Sequence, residues 1–274
     1  MKQLAFGLFI LLLGSVALRA ETPAQVKRLS QALGLPEIVA IMRDEGIGYG
    51  EQIAEAMFPA RADGEWRNLV DRIHDAGWML ETAEAGMAEA LAGRDLEPMI
   101  RFFESPLGRE IVGLEISARR ALLDPQLDEA NKARLEDMRR ANDPRLDLIR
   151  RFIEVNELVE YNVAGTLNSD FAFYRGLNDG GAYDEPITEE EMLKEVWRGE
   201  QEVRKDTEDW MLSFLNLAYS PLGDDELQSY IDFSASPAGQ QLNAALFAGF
   251  DDMFDKITYQ LGRAAGVIVS SENL

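Results

Sequence analysis

The chain has 274 residues, a formal net charge of −22 and no cysteine. Disulfide-stapled folds, acylation at cysteine and thiolate metal sites are therefore excluded. The negative charge argues against nucleic acid and anionic lipid as partners, because both bind positively charged surfaces.

Residues 1–20 have the features of a secretory signal peptide. Lys2 gives a positive start, residues 4–13 are almost continuously apolar, and cleavage is expected after Ala17 or Ala20. The apolar run is shorter than the roughly 20 residues of a spanning helix, although an uncleaved anchor is the alternative. We therefore predict a periplasmic protein without a transmembrane segment after cleavage, with 25 basic and 49 acidic residues and a net charge of −24.

The spacing of the apolar residues predicts helices nearly throughout the chain, and no strand. An apolar stripe with steps of three and four covers residues 66–90 and predicts one long helix. A second long helix is predicted from Thr188 to Leu217, because Thr188 and Glu191 have the spacing of a capping box. After a further long helix, residues 269–274 are predicted to form a flexible tail.

The pattern Phe-x-x-Ser-Pro-x-Gly occurs twice, 131 residues apart. In each copy serine is expected to cap the next helix, and proline to occupy its first position, where its missing N–H costs nothing. We predict an all-α fold with two tandem helical repeats packed as a helix bundle, at residues 21–142 and 143–268. The motif residues are Phe102, Ser105, Pro106 and Gly108 in the first copy and Phe233, Ser236, Pro237 and Gly239 in the second.

The stretches Leu96–Gly108 and Leu227–Gly239 carry a resemblance to a known family. Each combines a short helix, an aromatic residue, Ser-Pro-x-Gly and the start of an amphipathic helix. In this they resemble bacterial exported proteins grouped as domain of unknown function 2059. The second copy departs from the pattern, with Ser234 where a second aromatic residue usually stands. The resemblance implies an all-helical exported domain without an established activity, and it assigns no catalytic residue.

No residue pattern indicates a catalytic site, a cofactor site or a metal site. His74 is the only histidine, and we interpret it as a helix-surface residue paired with an acid rather than as a general base. The acidic clusters lack the ligand spacing of a calcium loop and are interpreted as helix caps and solvated faces. Asp251 and Asp255, one helical turn apart, could alternatively share a cation. The clusters are residues 189–191, 224–226 and 251–255.

Three further features each have two interpretations. The Ser-Pro-x-Gly turns either hold an anion on free N–H groups or are structural turns in which glycine permits a close approach of helices. Four aromatic residues form either core or the lining of a pocket: Phe102, Phe103, Tyr230 and Phe233. Three arginine pairs either dock an acidic partner or an anionic glycan, or pair with neighbouring acids such as Glu115: Arg119-Arg120, Arg139-Arg140 and Arg150-Arg151.

These observations predict a non-enzymatic binding or scaffold protein of the cell envelope, which contacts another envelope protein or an apolar ligand. Two alternatives stay open: a soluble carrier of an apolar ligand or lipid, and an envelope hydrolase that uses paired carboxylates. A carrier requires an apolar cavity of roughly 300–1,000 Å³. A hydrolase requires ionisable groups that converge in one cleft, and a scaffold requires an exposed apolar patch larger than a few hundred Å².

Overall fold

The protein is an all-α helix bundle, as the sequence predicts. A computed structural model describes residues 16–59 and 64–272, and within these ranges it contains thirteen helices and no β-strand. The helices are α1 (Val16–Ala32), α2 (Leu35–Met57), α3 (Gly64–Ile73), α4 (Ala76–Ala90), α5 (Glu97–Phe103), α6 (Pro106–Ala121), α7 (Pro125–Ala141), α8 (Arg145–Val155), α9 (Leu158–Asp179), α10 (Glu189–Arg198), α11 (Glu200–Tyr219), α12 (Asp224–Ala235) and α13 (Pro237–Glu272).

Two stretches predicted as single long helices are each divided into two. The stripe over residues 66–90 breaks between α3 and α4, where Asp75 Oδ1 accepts a hydrogen bond from the Trp78 N–H at 2.8 Å and caps the second helix. The stretch that begins at Thr188 breaks at Gly199, between α10 and α11. Both breaks preserve the apolar period on either side, so periodicity alone did not detect them.

Two of the acidic clusters are first turns of helices, where negative side chains complement the helix dipole. At α10, Glu191 accepts a hydrogen bond from the Thr188 N–H at 2.8 Å, and Thr188 Oγ1 accepts from the Glu191 N–H at 3.3 Å. The capping box predicted there is therefore confirmed. At α12, Glu226 accepts in the same way from the Gly223 N–H at 2.8 Å.

Helix α13 extends further towards the C-terminus than the sequence predicted. Helix α13 continues to Glu272, where a flexible tail from residue 269 was expected, because Ile268 and Val269 still pack against buried core residues. Residues 1–15 of the predicted signal peptide, and residues 273–274, lie outside the described residues. Among the described residues, every helix falls short of the length or apolarity needed to cross a bilayer.

The helices of the two predicted repeats occur in the same order and have matching neighbours. Helices α1–α6 correspond to α8–α13, and α7 lies between the two sets. Helix α2 packs on α3 and α4, as α9 packs on α10 and α11. The last helix of each set crosses to the other half, since α6 packs on α11 and α13 packs on α4. The two halves therefore share one interior.

Helices α9 and α13 run parallel and touch backbone to backbone. A Cβ atom on Gly176 or on Gly262 would lie 2.2 Å from a carbonyl oxygen of the facing helix. Gly180 and Gly266, one turn further along each helix, are in similar contact. Only glycine permits such an approach, because it has no side chain. This contact fixes the position of α9 relative to α13, and both helices line the candidate functional site.

Candidate functional site

The two Ser-Pro-x-Gly turns have the same geometry. Ser105 Oγ accepts a hydrogen bond from the Gly108 N–H at 3.0 Å and donates to the Phe102 carbonyl oxygen at 2.6 Å. The corresponding bonds in the second copy measure 3.1 and 2.6 Å. Each serine thus occupies a first-turn N–H donor, and proline removes another. This geometry favours the structural interpretation of the turns over the anion-binding one.

The motif glycines face backbone rather than open space, which explains why glycine stands there. A Cβ atom on Gly108 would lie 2.1 Å from the Phe102 carbonyl oxygen, and one on Gly239 would lie 2.2 Å from that of Phe233. We expect Gly108→Ala and Gly239→Ala each to lower the free energy of unfolding by roughly 2–3 kcal/mol. Urea denaturation followed by circular dichroism measures this. Unchanged midpoints in both variants would contradict the close approach.

The phenylalanines that open the two motifs stack on each other. The ring centroids of Phe102 and Phe233 are 3.9 Å apart and their planes differ by 8°. Phe103 meets Phe233 edge-on at 5.6 Å, and Tyr230 stacks on Phe102 at 5.7 Å. These aromatic residues are therefore core, but Phe103, Tyr230 and Phe233 also line a cavity. Both interpretations from the sequence describe part of their role.

This cavity has a volume of about 790 Å³, and most of its lining residues lie on α2, α6, α9, α11 and α13, with others on α5, α8 and α12. Tyr49 and Trp210 line it while remaining 45% and 42% exposed, so they mark its opening to solvent. The apolar stripe of α13 forms much of its wall, with Leu242, Leu246, Phe250, Phe254, Ile257 and Leu261. Both halves of the chain contribute to it.

Glu115 of α6 lines this cavity. Its Oε1 accepts a hydrogen bond from Tyr219 Oη at 2.6 Å, and Tyr230 Oη lies 3.5 Å away. Burial raises the pKa of Glu115 to about 7, against the opposing effect of the two tyrosine hydroxyls. A carboxyl group in apolar surroundings prefers its neutral form. Glu115 is therefore a lining carboxyl group whose pKa lies near 7, and not the arginine partner suggested by the sequence.

Asp251 and Asp170 line the cavity from α13 and α9. Asp251 lies against the backbone of α9, since a Cβ atom on Gly165 would be 2.8 Å from its Oδ1. Burial, and secondly the charge of Asp255, raise the pKa of Asp251 to about 6. Burial also raises the pKa of Asp170. Among the described residues, neither carboxylate has an ion-pair partner.

His74 does not lie on a helix surface beside an acid, as the sequence suggested. It is only 3% exposed, lines the cavity, and its Nδ1 is 2.9 Å from the Val70 carbonyl oxygen. Burial lowers the pKa of His74, which favours the neutral ring. Gly46 of α2 makes room for it, because a Cβ atom there would be 2.3 Å from the imidazole. The turn between α3 and α4 folds His74 inward, which helical periodicity could not reveal.

Arg119 is the cavity's only lining residue with a positive charge among the described residues. It forms a two-point ion pair with Glu45, at 3.0 and 2.7 Å. Most members of the arginine pairs likewise meet acids, which favours the second interpretation of those pairs. The other ion pairs are Arg120 with Glu37, Arg139 with Glu136 and Asp209, Arg140 with Asp137, and Arg150 with Asp147.

The sequence did not identify several residues as part of a cavity lining, notably Tyr49, Asp170 and Trp210. One signal was available, because each lining helix places its cavity residues at steps of three or four. On α9, Leu158, Asn162 and Thr166 show this spacing. The same spacing is typical of any buried helix face, so it could not distinguish a cavity from solid core.

Comparisons of the chain with protein-family models, curated proteins and solved structures gave no match. The resemblance to domain of unknown function 2059 therefore stays a prediction that depends on the two motifs. Within the described part of the chain, no group of three or more histidine, aspartate or glutamate side chains is arranged to hold a metal ion. The cavity is thus the feature on which a function can be argued.

Proposed function

We propose that this protein is an exported binding protein that carries an apolar ligand in the cavity between its two halves. The observation that supports this most is the cavity's volume of about 790 Å³, within the roughly 300–1,000 Å³ of ligand sites. Its walls are mainly aliphatic and aromatic, so burying an apolar molecule there gains about 25 cal/mol for each Å² removed from water. Localisation in the periplasm and an origin of the bundle from two tandem helical repeats are parts of the same proposal.

The hydrolase alternative receives less support from the same site. Paired carboxylates that share a reaction influence each other's pKa. The pKa of Glu115 depends on burial and on two tyrosine hydroxyls, with no contribution from another carboxylate. Asp251 is influenced by Asp255, but that residue follows one turn later on the same helix and faces a smaller surface depression. This arrangement suits ligand binding better than acid–base chemistry.

The scaffold alternative depends on exposed apolar surface, and the described residues offer it in separated pairs. Leu123 and Leu127 are 46% and 50% exposed near the start of α7. Leu193 and Trp197 are 43% and 63% exposed on α10. Single exposed apolar side chains are common on soluble proteins. The interior cavity is therefore the stronger argument for function.

Binding of a neutral apolar dye tests the proposal. We expect N-phenyl-1-naphthylamine to bind the purified protein at one site with micromolar affinity and with enhanced fluorescence. Leu246→Trp enlarges a side chain of the cavity wall and is expected to weaken binding at least tenfold, because the indole takes volume that the ligand would occupy. Thr166→Trp, at an exposed lining position, provides a second obstructing variant with less risk to folding.

The matched control is Leu127→Trp, which adds the same side chain at an exposed position of α7. It should leave dye binding unchanged, and melting curves of all three variants establish that they are folded. Dye affinity that is the same in the parent protein and in both folded obstructing variants would refute the cavity as the binding site. Absence of any dye binding would refute the proposal as a whole.

A further inference from the structure

The lining of the cavity contains a cluster of three polar side chains, Glu115, Tyr219 and Tyr230, which we call the Glu115 cluster. They come from three helices, α6, α11 and α12. Phe152 meets the Tyr219 ring edge-on at 5.3 Å and lies 4.7 Å from the Tyr230 ring. Phe103 meets the Tyr230 ring edge-on at 6.3 Å. Aromatic rings thus pack against the cluster, and hydrogen bonds in such surroundings are electrostatically stronger than in water.

The two carboxyl oxygens of Glu115 have different surroundings. Oε1 accepts a hydrogen bond from Tyr219 Oη at 2.6 Å, and Tyr230 Oη lies 3.5 Å from the same oxygen. Oε2 has no hydrogen-bond partner among the described residues. It is also not one of the buried atoms that lack a partner within this part of the chain, so it keeps accessible surface. Because Glu115 lines the cavity, Oε2 is the atom of the cluster that is available to a ligand.

The hydrogen bonds also determine which oxygen carries the proton when Glu115 is neutral. A neutral carboxyl group has one oxygen that accepts hydrogen bonds and one hydroxyl that donates. Because Tyr219 donates to Oε1, the proton belongs on Oε2. Burial favours this neutral form, since it raises the pKa of Glu115 to about 7. Neutral Glu115 therefore offers an O–H donor to the ligand, and leaving a buried donor without an acceptor costs free energy.

The other titratable groups of the lining do not determine the protonation of Glu115. Among the described residues, the influences on its pKa are burial and, in the opposite direction, the hydroxyls of Tyr219 and Tyr230. Arg119, on the same helix, pairs with Glu45 of α2. An anionic group beside Glu115 would therefore lack a free counter-charge, and burying it there is costly. The remaining titratable lining residues are Tyr49 on α2, His74 after α3, Asp170 on α9 and Asp251 on α13.

We infer that the ligand is a neutral apolar molecule with a hydrogen-bond acceptor, such as a ketone, ester or amide carbonyl, which accepts from Glu115 Oε2. This inference rests on the proposed function and assigns the ligand's polar group. A hydrocarbon would leave the donor unsatisfied. An ammonium group carries only donors and could not accept this hydrogen bond. A carboxylate could accept it, but only at the cost of burying an uncompensated charge.

Three probes with the same naphthalene ring system test the inference: 2-acetylnaphthalene, 2-ethylnaphthalene and 2-naphthoate. The ketone and the hydrocarbon have nearly the same shape and differ in the carbonyl oxygen. Their affinities are measured at pH 6 by displacement of N-phenyl-1-naphthylamine. Glu115→Met removes the donor but keeps an unbranched side chain. We expect the ratio of ketone affinity to hydrocarbon affinity to fall at least tenfold in this variant. In the parent protein, 2-naphthoate should bind less tightly than the ketone.

Glu115→Gln is the conservative variant, because its amide N–H can donate in place of Oε2. It should keep the affinity ratio within threefold of the parent protein. Between pH 6 and pH 8.5 the ratio in the parent protein should fall at least fivefold, as Glu115 loses its proton, and the ratio in the glutamine variant should stay constant. Glu110→Met, at an exposed position of the same helix, is the control for loss of a carboxylate. It should keep the ratio of the parent protein and its fall with pH.

The outcomes separate this inference from the carrier function. An unchanged affinity ratio in folded Glu115→Met would overturn the inference, while binding of 2-ethylnaphthalene would leave the carrier function intact. If melting curves show that Glu115→Met is unfolded, the pH series decides, and a ratio that is constant with pH in the parent protein overturns the inference. Tighter binding of 2-naphthoate than of the ketone would overturn it in favour of an anionic ligand. Failure of the dye and of both neutral probes to bind would instead refute the carrier function itself.

Discussion

Replacing Gly262 with alanine is expected to lower the free energy of unfolding by roughly 3 kcal/mol or more, because the new methyl group has no space. Its Cβ atom would lie 2.2 Å from the Phe173 carbonyl oxygen, which belongs to the backbone of α9 and cannot rotate away. Relief requires α9 and α13 to separate along their contact. For a chain of this size, the corresponding fall in melting temperature is about 6–12 °C.

The matched control is Gly113→Ala on α6, where a Cβ atom would meet nothing within 4 Å. That change should stabilise the protein by up to about 1 kcal/mol, since alanine is the better helix former. Chemical denaturation of both variants gives the comparison directly. Similar stability of the two alanine variants would show that α9 and α13 do not touch through glycine.

Glu115→Gln is expected to remove a pH dependence of stability worth about 3 kcal/mol. In the parent protein the folded-state pKa of Glu115 is raised to about 7, against 4.5 for the ordinary side chain. Between these values the unfolded chain ionises while the folded protein keeps its proton, so stability falls as pH rises. The stabilising effect is fully present below pH 4.5 and is lost as pH rises through 7.

The measurement is the free energy of unfolding of both proteins from pH 4.5 to pH 8. The free energy of unfolding of the glutamine variant, relative to that of the parent protein, should increase steadily across this range. This difference in free energy should become constant above pH 8. The titrations of His74 and Asp251 occur in both proteins and cancel in the difference. Glu110→Gln, at an exposed position of the same helix, is the control and should give parallel profiles. Parallel profiles for Glu115→Gln as well would contradict its burial as a neutral acid.

The parts of the fold that depend on local chemistry could be predicted from the sequence. The capping box at Thr188 and the serine cap at Ser105 form as expected, because both depend on residues three positions apart in the chain. The break at Asp75 could not be predicted in the same way. Asp75 caps α4 without interrupting the apolar period, so the competing signal favoured one continuous helix.

Contacts between segments that are far apart in the sequence could not be predicted from local sequence patterns. Gly176 and Gly262 are 86 residues apart, and only the packing of α9 on α13 shows why both are glycine. The cavity is a similar case, because Glu115 and Asp251 are ordinary acids in the sequence. Their unusual surroundings come from helices that are far apart in the sequence and meet around the cavity. The predicted pocket aromatics were correct in part, since Phe103 and Phe233 serve the core and the cavity together.

The crossing of the last helices has a consequence for how the chain acquires its structure. Helix α13, which covers α4 of the first half, consists of 36 residues at the end of the described chain. A fragment that stops at residue 142 would leave α4 uncovered, so neither half is a natural unit for truncation. Contacts between residues far apart in sequence slow folding, and a terminal helix that closes on another half can close on another molecule. We therefore expect α13 to close on α4 late in folding, and we expect refolding at high protein concentration to favour dimers that exchange α13.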